Sequence, residues 1–285
     1  MEISVKNTSE MRDNMSNNSP IGVFDSGVGG LTVVREITRQ LPNESIIYFG
    51  DTARVPYGNK SKETVTTYSR QIVNFLIKNN VKAIVIACNT ASAFALETIK
   101  NEIDIPIIGV VKPGAKTAYL TTKNKRIGVI GTVGTAHSKI YNQYIEAYDK
   151  DIFVDNEPCP LFVPLVEEGM IEDEITDEMI RRYTKRLLSE NIDTLVLGCT
   201  HYPLLCDEIR KVLGNDINLV NPAYETAIAL KEILTNNNLL TTSNIEASHR
   251  FYVSDGAEQF KAFANKILTC HVEEIRDINN IESYN

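Results

Sequence analysis

Two cysteines occur in the same local sequence pattern in two distant parts of the chain. The matching segments are Ala83-Ile84-Val85-Ile86-Ala87-Cys88-Asn89-Thr90 and Thr194-Leu195-Val196-Leu197-Gly198-Cys199-Thr200-His201. In each segment a short apolar run, typical of a buried strand, leads into a cysteine at the predicted start of a helix, and two polar residues follow that cysteine. A buried structural cysteine is the alternative for either one alone, but the recurrence favours a functional thiol in both places.

Two thiols on opposite walls of a cleft can invert a stereocentre. Racemisation without a cofactor removes a proton from one face of Cα and delivers another to the opposite face, which one base does not easily do. A helix that begins after the strand would favour the thiolate of Cys88 and lower its pKa from about 8.5. We therefore predict an amino-acid racemase that needs no cofactor, with Cys88 and Cys199 as its two acid/base groups.

A redox disulfide and a zinc site are the other chemistries open to these residues. Cys88 and Cys199 lack the C-x-x-C spacing of thioredoxin-like sites. Together with His201 they give three candidate zinc ligands, and the spacing from Cys199 to His201 matches no familiar zinc finger. We predict no metal.

Asp25 and His201 are the titratable neighbours that can tune these thiols. Asp25 ends the first predicted strand, where it could orient Cys88 or accept its proton, and His201 stands two residues after Cys199. Each has a plainer interpretation: Asp25 as a turn-forming residue before glycine, and His201 as a cap at a helix start.

The segment Asp25-Ser26-Gly27-Val28-Gly29-Gly30 predicts an anion site rather than a nucleotide site. Thr32 occupies the position of the third glycine in a G-x-G-x-x-G frame that starts at Gly27, so dinucleotide binding is poorly supported. Successive backbone N–H groups and the Ser26 hydroxyl would hold a small carboxylate instead. Neutral donors beside the thiols come from Asn89, Thr90 and Thr200.

The elements that must position these residues alternate along the chain. Apolar strand-like runs are Ile21–Asp25, Ser45–Gly50, Ala83–Ala87, Ile105–Val111, Ile127–Ile130, Ile152–Val154, Thr194–Leu197, Ile217–Val220 and Phe251–Val253. Helix-length segments between them include Leu31–Gln40, Lys62–Asn79, Ser92–Glu102, Asp177–Glu190 and Leu204–Leu213. Strands separated by helices indicate βα units, parallel sheets and the α/β class.

Further motifs recur in the same order, which indicates a duplicated half. Ile21-Gly22-Val23 corresponds to Ile127-Gly128-Val129, and Val111-Lys112-Pro113 corresponds to Val220-Asn221-Pro222. Functional groups gather at the carboxyl ends of parallel strands, so two related halves packed face to face would place both thiols in one cleft. We predict two pseudo-symmetric α/β domains with mainly parallel sheets that face a central cleft.

The composition disfavours several classes of protein. The net charge of −8 and the pI near 5.2 make nucleic acid an unexpected partner, because nucleic-acid binding relies on a basic face. No run approaches the roughly 18 apolar residues of a membrane span, and residues 1–19 lack the apolar segment of a signal peptide. Five cysteines make no disulfide framework. We predict a cytoplasmic protein with a flexible N-terminal extension over residues 1–19.

Several separated motifs together closely resemble bacterial glutamate racemases. They are Asp25-Ser26-Gly27-Val28-Gly29-Gly30-Leu31, Pro56-Tyr57-Gly58, Cys88-Asn89-Thr90-Ala91-Ser92, Gly198-Cys199-Thr200-His201-Tyr202-Pro203 and Asp255-Gly256-Ala257-Glu258. The resemblance spans the chain from about Pro20 to the C-terminal region. It implies interconversion of L- and D-glutamate, which would supply D-glutamate for peptidoglycan and the cell wall.

The resemblance also implies individual roles. Cys88 would take the proton from D-glutamate with help from Asp25, and Cys199 would take it from L-glutamate. His201 and Glu167 would lie near Cys199, although a place on a surface helix is the alternative for Glu167. The amino-acid end would be held by Asn89, Thr90 and Thr200, and the side-chain carboxylate by Ser26, Tyr57 and Gly58, with Pro56, Thr132 and Thr135 also in the site.

By the same resemblance, the two domains interleave in sequence. The first would comprise residues 20–112 and 223–285, and the second residues 113–222. The N-terminal extension before Pro20 distinguishes this chain from shorter family members. Some longer members are regulated by a peptidoglycan precursor, so activation by such a precursor is a candidate here. The oligomeric state is left open between homodimer and monomer.

Two other functions stay open. A racemase of the same superfamily that acts on aspartate would keep both thiols, and Tyr57-Gly58 favours glutamate only through the resemblance. A non-catalytic protein whose duplicated lobes close on a small acid would bind that acid without transforming it.

Overall fold

The computed structural model of the chain describes residues 17–242, 246–269 and 272–285. Within these ranges the strands form two sheets, and every pair of neighbouring strands is parallel. Helices connect successive strands, as parallel pairing requires. The predicted α/β class with two parallel sheets is therefore confirmed.

The larger sheet has six strands in the order β10-β9-β2-β1-β3-β4. They are β1 (Ile21–Asp25), β2 (Ile46–Gly50), β3 (Ala83–Ile86), β4 (Ile107–Gly109), β9 (His249–Val253) and β10 (Ile275–Asp277). Val23 on one face and Phe24 on the other belong to two separate apolar clusters, and both are fully buried. Burial of both faces explains why the central strands are continuous apolar runs in the sequence.

The smaller sheet repeats the central part of the larger one. Its order is β6-β5-β7-β8, with β5 (Arg126–Gly131), β6 (Phe153–Pro158), β7 (Thr194–Gly198) and β8 (Asn218–Val220). The corresponding order in the larger sheet is β2-β1-β3-β4, so β5 takes the place of β1 and β7 the place of β3. The duplicated motifs of the sequence therefore occupy equivalent strands.

Helices of very different length pack between and around the strands. The α-helices are Leu31–Gln40, Lys62–Lys78, Asn89–Phe94, Leu96–Lys100, Val111–Thr121, Val133–Ser138, Ile140–Glu146, Phe162–Glu167, Glu174–Ser189, Cys206–Leu213, Pro222–Asn236 and Ala257–Ile267. Short 3-10 helices are Thr52–Arg54, Tyr57–Asn59, Tyr202–Leu205 and Ile281–Tyr284. Among the described helices, none is both long and apolar enough to cross a membrane.

The chain passes between the sheets in helices Val111–Thr121 and Pro222–Asn236, which pack against each other. Strands of the smaller sheet all come from residues 113–222, and those of the larger sheet come from the flanking sequence. The division into two domains at residues 112/113 and 222/223 stays a prediction. Of the predicted N-terminal extension, residues 1–16 lie outside the described residues.

A buried ion pair lies at the amino-terminal edge of the larger sheet. Nζ of Lys82, directly before β3, is 2.5 Å from Oε2 of Glu44, and both side chains are almost fully buried. Nζ also donates to the backbone carbonyl of Asn17 at 2.5 Å, while Oε1 of Glu44 accepts from the backbone N–H of Thr241 at 2.8 Å. The pair thereby ties two chain segments to this edge.

We expect Lys82→Met to lower the free energy of unfolding by about 3–5 kcal/mol, because the variant keeps the apolar stem but leaves the Glu44 carboxylate buried without its cation. Urea unfolding measures the difference. Arg70→Met is the control, because the Arg70–Glu102 pair is exposed and its loss should cost at most about 1 kcal/mol. Equal stability of the two variants would contradict the role assigned to the buried pair.

Candidate active site

The predicted site residues follow the central strands of both sheets. β1 ends at Asp25 and β3 is followed by Cys88 in the larger sheet, while β5 is followed by Thr132 and β7 by Cys199 in the smaller one. Parallel strands end at a common edge, so each sheet collects its own set of polar groups. Contacts between these two sets, described below, show that the two edges face each other.

Cys88 is the N-cap residue of helix Asn89–Phe94. Its Sγ accepts from the backbone N–H of Ala91 at 3.4 Å and lies 3.7 Å from Oγ of Ser26. The thiol is 5% exposed. The sequence prediction of a cysteine at a helix start is correct here.

The expected lowering of the thiol pKa at this helix start is wrong. Burial raises the pKa of Cys88 to about 12, and the negative charge of Asp25 adds to the increase. The hydrogen bonds with Ala91 and Ser26 act in the opposite direction, but they do not replace the water that burial removes. Cys88 is therefore a protonated thiol at neutral pH.

Cys199 differs from Cys88 in its local structure. It stands in a turn directly after β7, which the 3-10 helix Tyr202–Leu205 and then helix Cys206–Leu213 follow. The predicted position at a regular helix start is therefore wrong for this cysteine. Pro203 lies in the first turn of the 3-10 helix, and the regular helix begins only at Cys206. The Cys199 side chain is 6% exposed.

His201 connects Cys199 to a carboxylate. Its Nδ1 lies 3.8 Å from Sγ of Cys199 and its Nε2 lies 2.9 Å from Oε1 of Glu167, at the end of helix Phe162–Glu167. The His201 side chain makes no capping bond, so the capping interpretation is wrong. Burial alone would lower the pKa of His201, but the hydrogen bonds with Cys199 and Glu167 raise it to about 10. The imidazole is therefore cationic at neutral pH.

Asp25 both forms a turn and lies among the charged groups of the site. Its Oδ2 accepts from the backbone N–H groups of Gly27 at 3.2 Å and Gly30 at 2.9 Å, as the turn interpretation predicts. Its Oδ1 is buried, and it has no hydrogen-bond partner among the described residues. Burial raises the pKa of Asp25, whereas the charge of His201 lowers it. One carboxyl oxygen thus organises the loop while the other stays available.

The loop after β1 touches the turn that carries Cys199. A methyl group on Gly29 would lie 2.4 Å from Oγ1 of Thr200 and 2.5 Å from Nδ1 of His201, so only glycine fits at this approach. Nearby, Oγ1 of Thr32 donates to the carbonyl of Thr200 at 2.9 Å. The loop therefore lies beside the Cys199 turn as well as beside Cys88.

Other predicted binding residues also meet between the two sheets. Oγ1 of Thr90 lies 2.9 Å from Oγ1 of Thr132 and 3.2 Å from Oγ1 of Thr135. A methyl group on Gly58 would come within 2.7 Å of Cβ of Thr132. The Tyr57 hydroxyl instead donates to the buried carboxylate of Asp51, so this side chain is occupied within the larger sheet's own half.

Two cavities lie near the junction of the halves, and both are lined by Val55 and Glu167. One has a volume of about 440 Å³ and the other, which Pro56 also lines, about 280 Å³. Neither is lined by Cys88 or Cys199. Cys199 borders a space of only about 10 Å³, at most enough for a single water. Both thiols are almost inaccessible in this closed conformation, and a charge on Cys199 makes only a minor contribution to the raised pKa of Cys88.

Tyr141 is a site-proximal residue that sequence reasoning missed. Its hydroxyl donates to Oδ1 of Asn89 at 2.7 Å. Tyr141 stands in an ordinary amphipathic helix without any motif, so no local signal marks it. Within the described ranges, no three His, Cys, Asp or Glu side chains form a group that could hold a metal ion.

Comparison with known proteins gives consistent matches over most of the chain. A family model described as Asp/Glu/Hydantoin racemase matches residues 21–229. The glutamate racemase of Geobacter metallireducens is 48% identical over 248 residues, which are 87% of this chain and 92% of that protein.

Solved structures of glutamate racemases also match. The enzyme from Francisella tularensis in complex with D-glutamate has a TM-score of 0.88 at 39% identity, covering 94% of this chain and 100% of that one. The Escherichia coli enzyme in complex with L-glutamate and the activator UDP-MurNAc-Ala has a TM-score of 0.75 at 27% identity, covering 91% of this chain and 98% of that one. The chain therefore belongs to the Asp/Glu/hydantoin racemase family, among the glutamate racemases.

Proposed function

We propose that the chain interconverts L- and D-glutamate without a cofactor, by proton transfer between the α-carbon and two thiols, and so supplies D-glutamate for peptidoglycan. One observation carries this proposal: Cys88 and Cys199 follow equivalent strands of two sheets that share one strand order. The glutamate racemases matched above support glutamate as the substrate.

In the L-to-D direction, Cys199 acts as the base. The cationic His201 ring beside Sγ stabilises the thiolate, and Glu167 holds that ring through its other nitrogen. The thiolate takes the α-proton, and the protonated thiol of Cys88 delivers a proton to the opposite face. The turnover leaves Cys88 as thiolate and Cys199 as thiol, and proton exchange with solvent restores the starting state.

In the D-to-L direction, the roles are reversed. Cys88 must first become a thiolate, and the available oxygen of Asp25 is the group that accepts or orients its proton. The incoming α-ammonium group adds a positive charge, which favours the thiolate in a site that burial has made unfavourable for it. Ser26 and the Ala91 N–H stabilise the resulting negative charge by hydrogen bonds.

Neutral groups hold the substrate in this proposal. Asn89, Thr90 and Thr200 bind the amino-acid end. Ser26, Tyr57 and Gly58 bind the side-chain carboxylate, and Tyr57 does so through its backbone because its hydroxyl is bonded to Asp51. The remaining predicted members of the site are Pro56, Thr132 and Thr135.

Two further parts of the earlier prediction stay proposals. An activator related to peptidoglycan precursors is supported by the Escherichia coli relative, whose structure contains UDP-MurNAc-Ala. Independence from a cofactor is supported by the chemistry, because two acid/base thiols suffice for both proton transfers.

The deciding experiment follows the α-hydrogen of glutamate and aspartate enantiomers in D₂O by proton NMR, with inversion followed by circular dichroism. Deuterium uptake together with inversion of glutamate, unchanged after dialysis against EDTA and without pyridoxal phosphate, is the expected result. Binding without exchange would identify a binding protein. Faster turnover of aspartate would identify the rival racemase.

We expect Cys88→Ser and Cys199→Ser each to lower racemisation by about 100- to 10,000-fold, because serine is a far poorer acid and base than cysteine at neutral pH. Each variant keeps one thiol, so exchange without inversion should persist from one side only: from L-glutamate in Cys88→Ser and from D-glutamate in Cys199→Ser. Cys206→Ser, at a partly buried cysteine outside the site, is the control. Near-normal inversion in either site variant would refute the assignment.

We expect Glu167→Gln to shift the alkaline limb of the activity profile to lower pH. Glu167 helps to raise the pKa of His201 to about 10, so its loss lets the ring become neutral earlier as pH rises. The loss in kcat/KM for L-glutamate should therefore be larger at pH 9 than at pH 7. Glu168→Gln removes the adjacent exposed carboxylate and should leave the profile unchanged. Parallel profiles for wild type and Glu167→Gln would argue against the His201–Glu167 pair.

We expect Gly29→Ala to lower kcat/KM by about 100-fold, because the added methyl group pushes the Cys199 turn away from its position by about an ångström. Gly27→Ala is the matched control in the same loop: its methyl group would lie 3.5 Å from Cγ2 of Val55, which is ordinary contact. Steady-state kinetics on both variants makes the comparison. Equal activities would mean that the close approach is not needed for catalysis.

A further inference from the structure

We propose that Tyr141 is a positioning residue for substrate recognition. Its hydroxyl fixes the orientation of the Asn89 side-chain amide, so that the amide nitrogen donates to the α-carboxylate of glutamate. The inference rests on the proposed function, in which Asn89 binds the amino-acid end of glutamate. It adds a residue from the other half of the molecule to that interaction.

The contact joins the two halves at the site. Tyr141 lies in helix Ile140–Glu146, beside the smaller sheet, and its hydroxyl reaches Oδ1 of Asn89, the residue after Cys88. Tyr141 is completely buried and Asn89 is 4% exposed. A hydrogen bond at 2.7 Å between two buried groups strongly favours one geometry, because neither group can turn to water instead.

The Tyr141 ring is held from both sides. A methyl group on Gly198 would lie 3.4 Å from Cε2 of the ring, and one on Gly114 would lie 3.5 Å from Cε1. Gly198 directly precedes Cys199, and Gly114 belongs to the crossing helix Val111–Thr121. One side chain therefore packs on the segment that carries Cys199 and bonds to the residue that follows Cys88.

The hydroxyl keeps its proton and donates a hydrogen bond to Asn89. Burial raises the pKa of Tyr141 far above the working range, and the charge of Cys199 adds to the increase. Oδ1 of Asn89 is the acceptor of this hydrogen bond, which leaves the amide nitrogen for another partner. Among the described residues, this nitrogen has no hydrogen-bond partner, and Asn89 borders the small space next to Cys199 and Thr200.

The chemistry of the remaining nitrogen identifies what it binds. An amide NH₂ group donates two hydrogen bonds and suits a carboxylate, whereas the flipped amide would present an oxygen to the same negative charge. Tyr141 binds the amide oxygen of Asn89 and thereby determines that the amide nitrogen, a hydrogen-bond donor, faces the substrate. The expected contribution is to binding, in the ground state and the transition state alike.

Tyr141→Phe removes only the hydroxyl and keeps the ring packing. We expect KM for both enantiomers to rise by about tenfold while kcat stays within about threefold, the pattern of a lost uniform binding interaction. Tyr202→Phe is the matched control. Tyr202 is equally buried, its pKa is also raised by burial and by Cys199, but its hydroxyl donates to the carbonyl of Cys159. Its KM should stay at the wild-type value.

A double-mutant cycle separates positioning from general destabilisation. If Tyr141 acts through Asn89, KM of Asn89→Ala will not rise further when Tyr141→Phe is added, and multiplicative effects would overturn the proposal. Asn89→Asp provides a test that leaves Tyr141 intact. It keeps the shape and the Tyr141 bond but presents an oxygen to the carboxylate, so KM should rise by at least about tenfold. An unchanged KM in Asn89→Asp would also overturn the proposal.

The proposed racemase function and the positioning role of Tyr141 can be refuted separately. If the wild-type chain does not racemise glutamate, the proposed function is wrong, and the role of Tyr141 in glutamate binding is wrong with it. If the wild type racemises glutamate and folded Tyr141→Phe keeps the wild-type KM, the positioning role alone is wrong. Thermal unfolding of each variant establishes that it is folded.

Discussion

Removal of water from the two thiols is the constraint on which the rest of the site depends. Cys88 and Cys199 are both almost inaccessible in the closed conformation, and a buried thiolate is costly unless nearby groups stabilise its charge. The two halves meet this cost differently. Cys88 has only a backbone N–H and a serine hydroxyl, whose hydrogen bonds lower its pKa too little to offset burial, whereas Cys199 has a cationic imidazole that Glu167 holds in place. In the proposed mechanism, the positive charge of the substrate ammonium group compensates for the cation that Cys88 lacks.

At the junction of the two halves, residues of the two sheets lie very close together, but each contact between them is weak. Hydroxyl pairs such as Thr90 with Thr132, and the short approach at Gly29, define the closed geometry closely. Each such hydrogen bond contributes a net of only about 0.5–1.5 kcal/mol, since water replaces it when the halves separate. Separating the halves at these contacts would therefore cost little per contact, while the packed helices Val111–Thr121 and Pro222–Asn236 keep the halves together.

Much of the fold follows from short-range patterns in the sequence. The buried parallel strands are continuous apolar runs, so nine of the ten described strands lie at predicted runs, and helix Leu31–Gln40 has the predicted limits. β10 was missed because Ile275–Asp277 is a three-residue edge strand with only one apolar residue. The segment Ser92–Glu102 proved to be two helices, the first of which starts at Asn89, because the Cys88 side chain caps it.

The site is less accessible to such reasoning, because it depends on contacts between distant residues. The spacing of Cys199 and His201 suggested their contact, but the 2.9 Å bond from His201 to Glu167 arises from the packing of two separate helical segments. The raised pKa of Cys88 depends on burial, which a single strand and helix do not reveal. Tyr141 and the occupied hydroxyl of Tyr57 likewise depend on partners 52 and 6 residues away.

The unlike partners of the two thiols have a consequence for energetics. The two halves share one architecture, but one thiol lies near a carboxylate and the other near an imidazolium, so the two protonation forms of the proposed mechanism differ in free energy. Mirror-image substrates have equal free energies in water, and their equilibrium is therefore fixed at equal amounts whatever the protein does. The electrostatic difference between the two walls can give the two enantiomers different KM and kcat values. The ratio kcat/KM must nevertheless be the same for both, because the equilibrium constant is one.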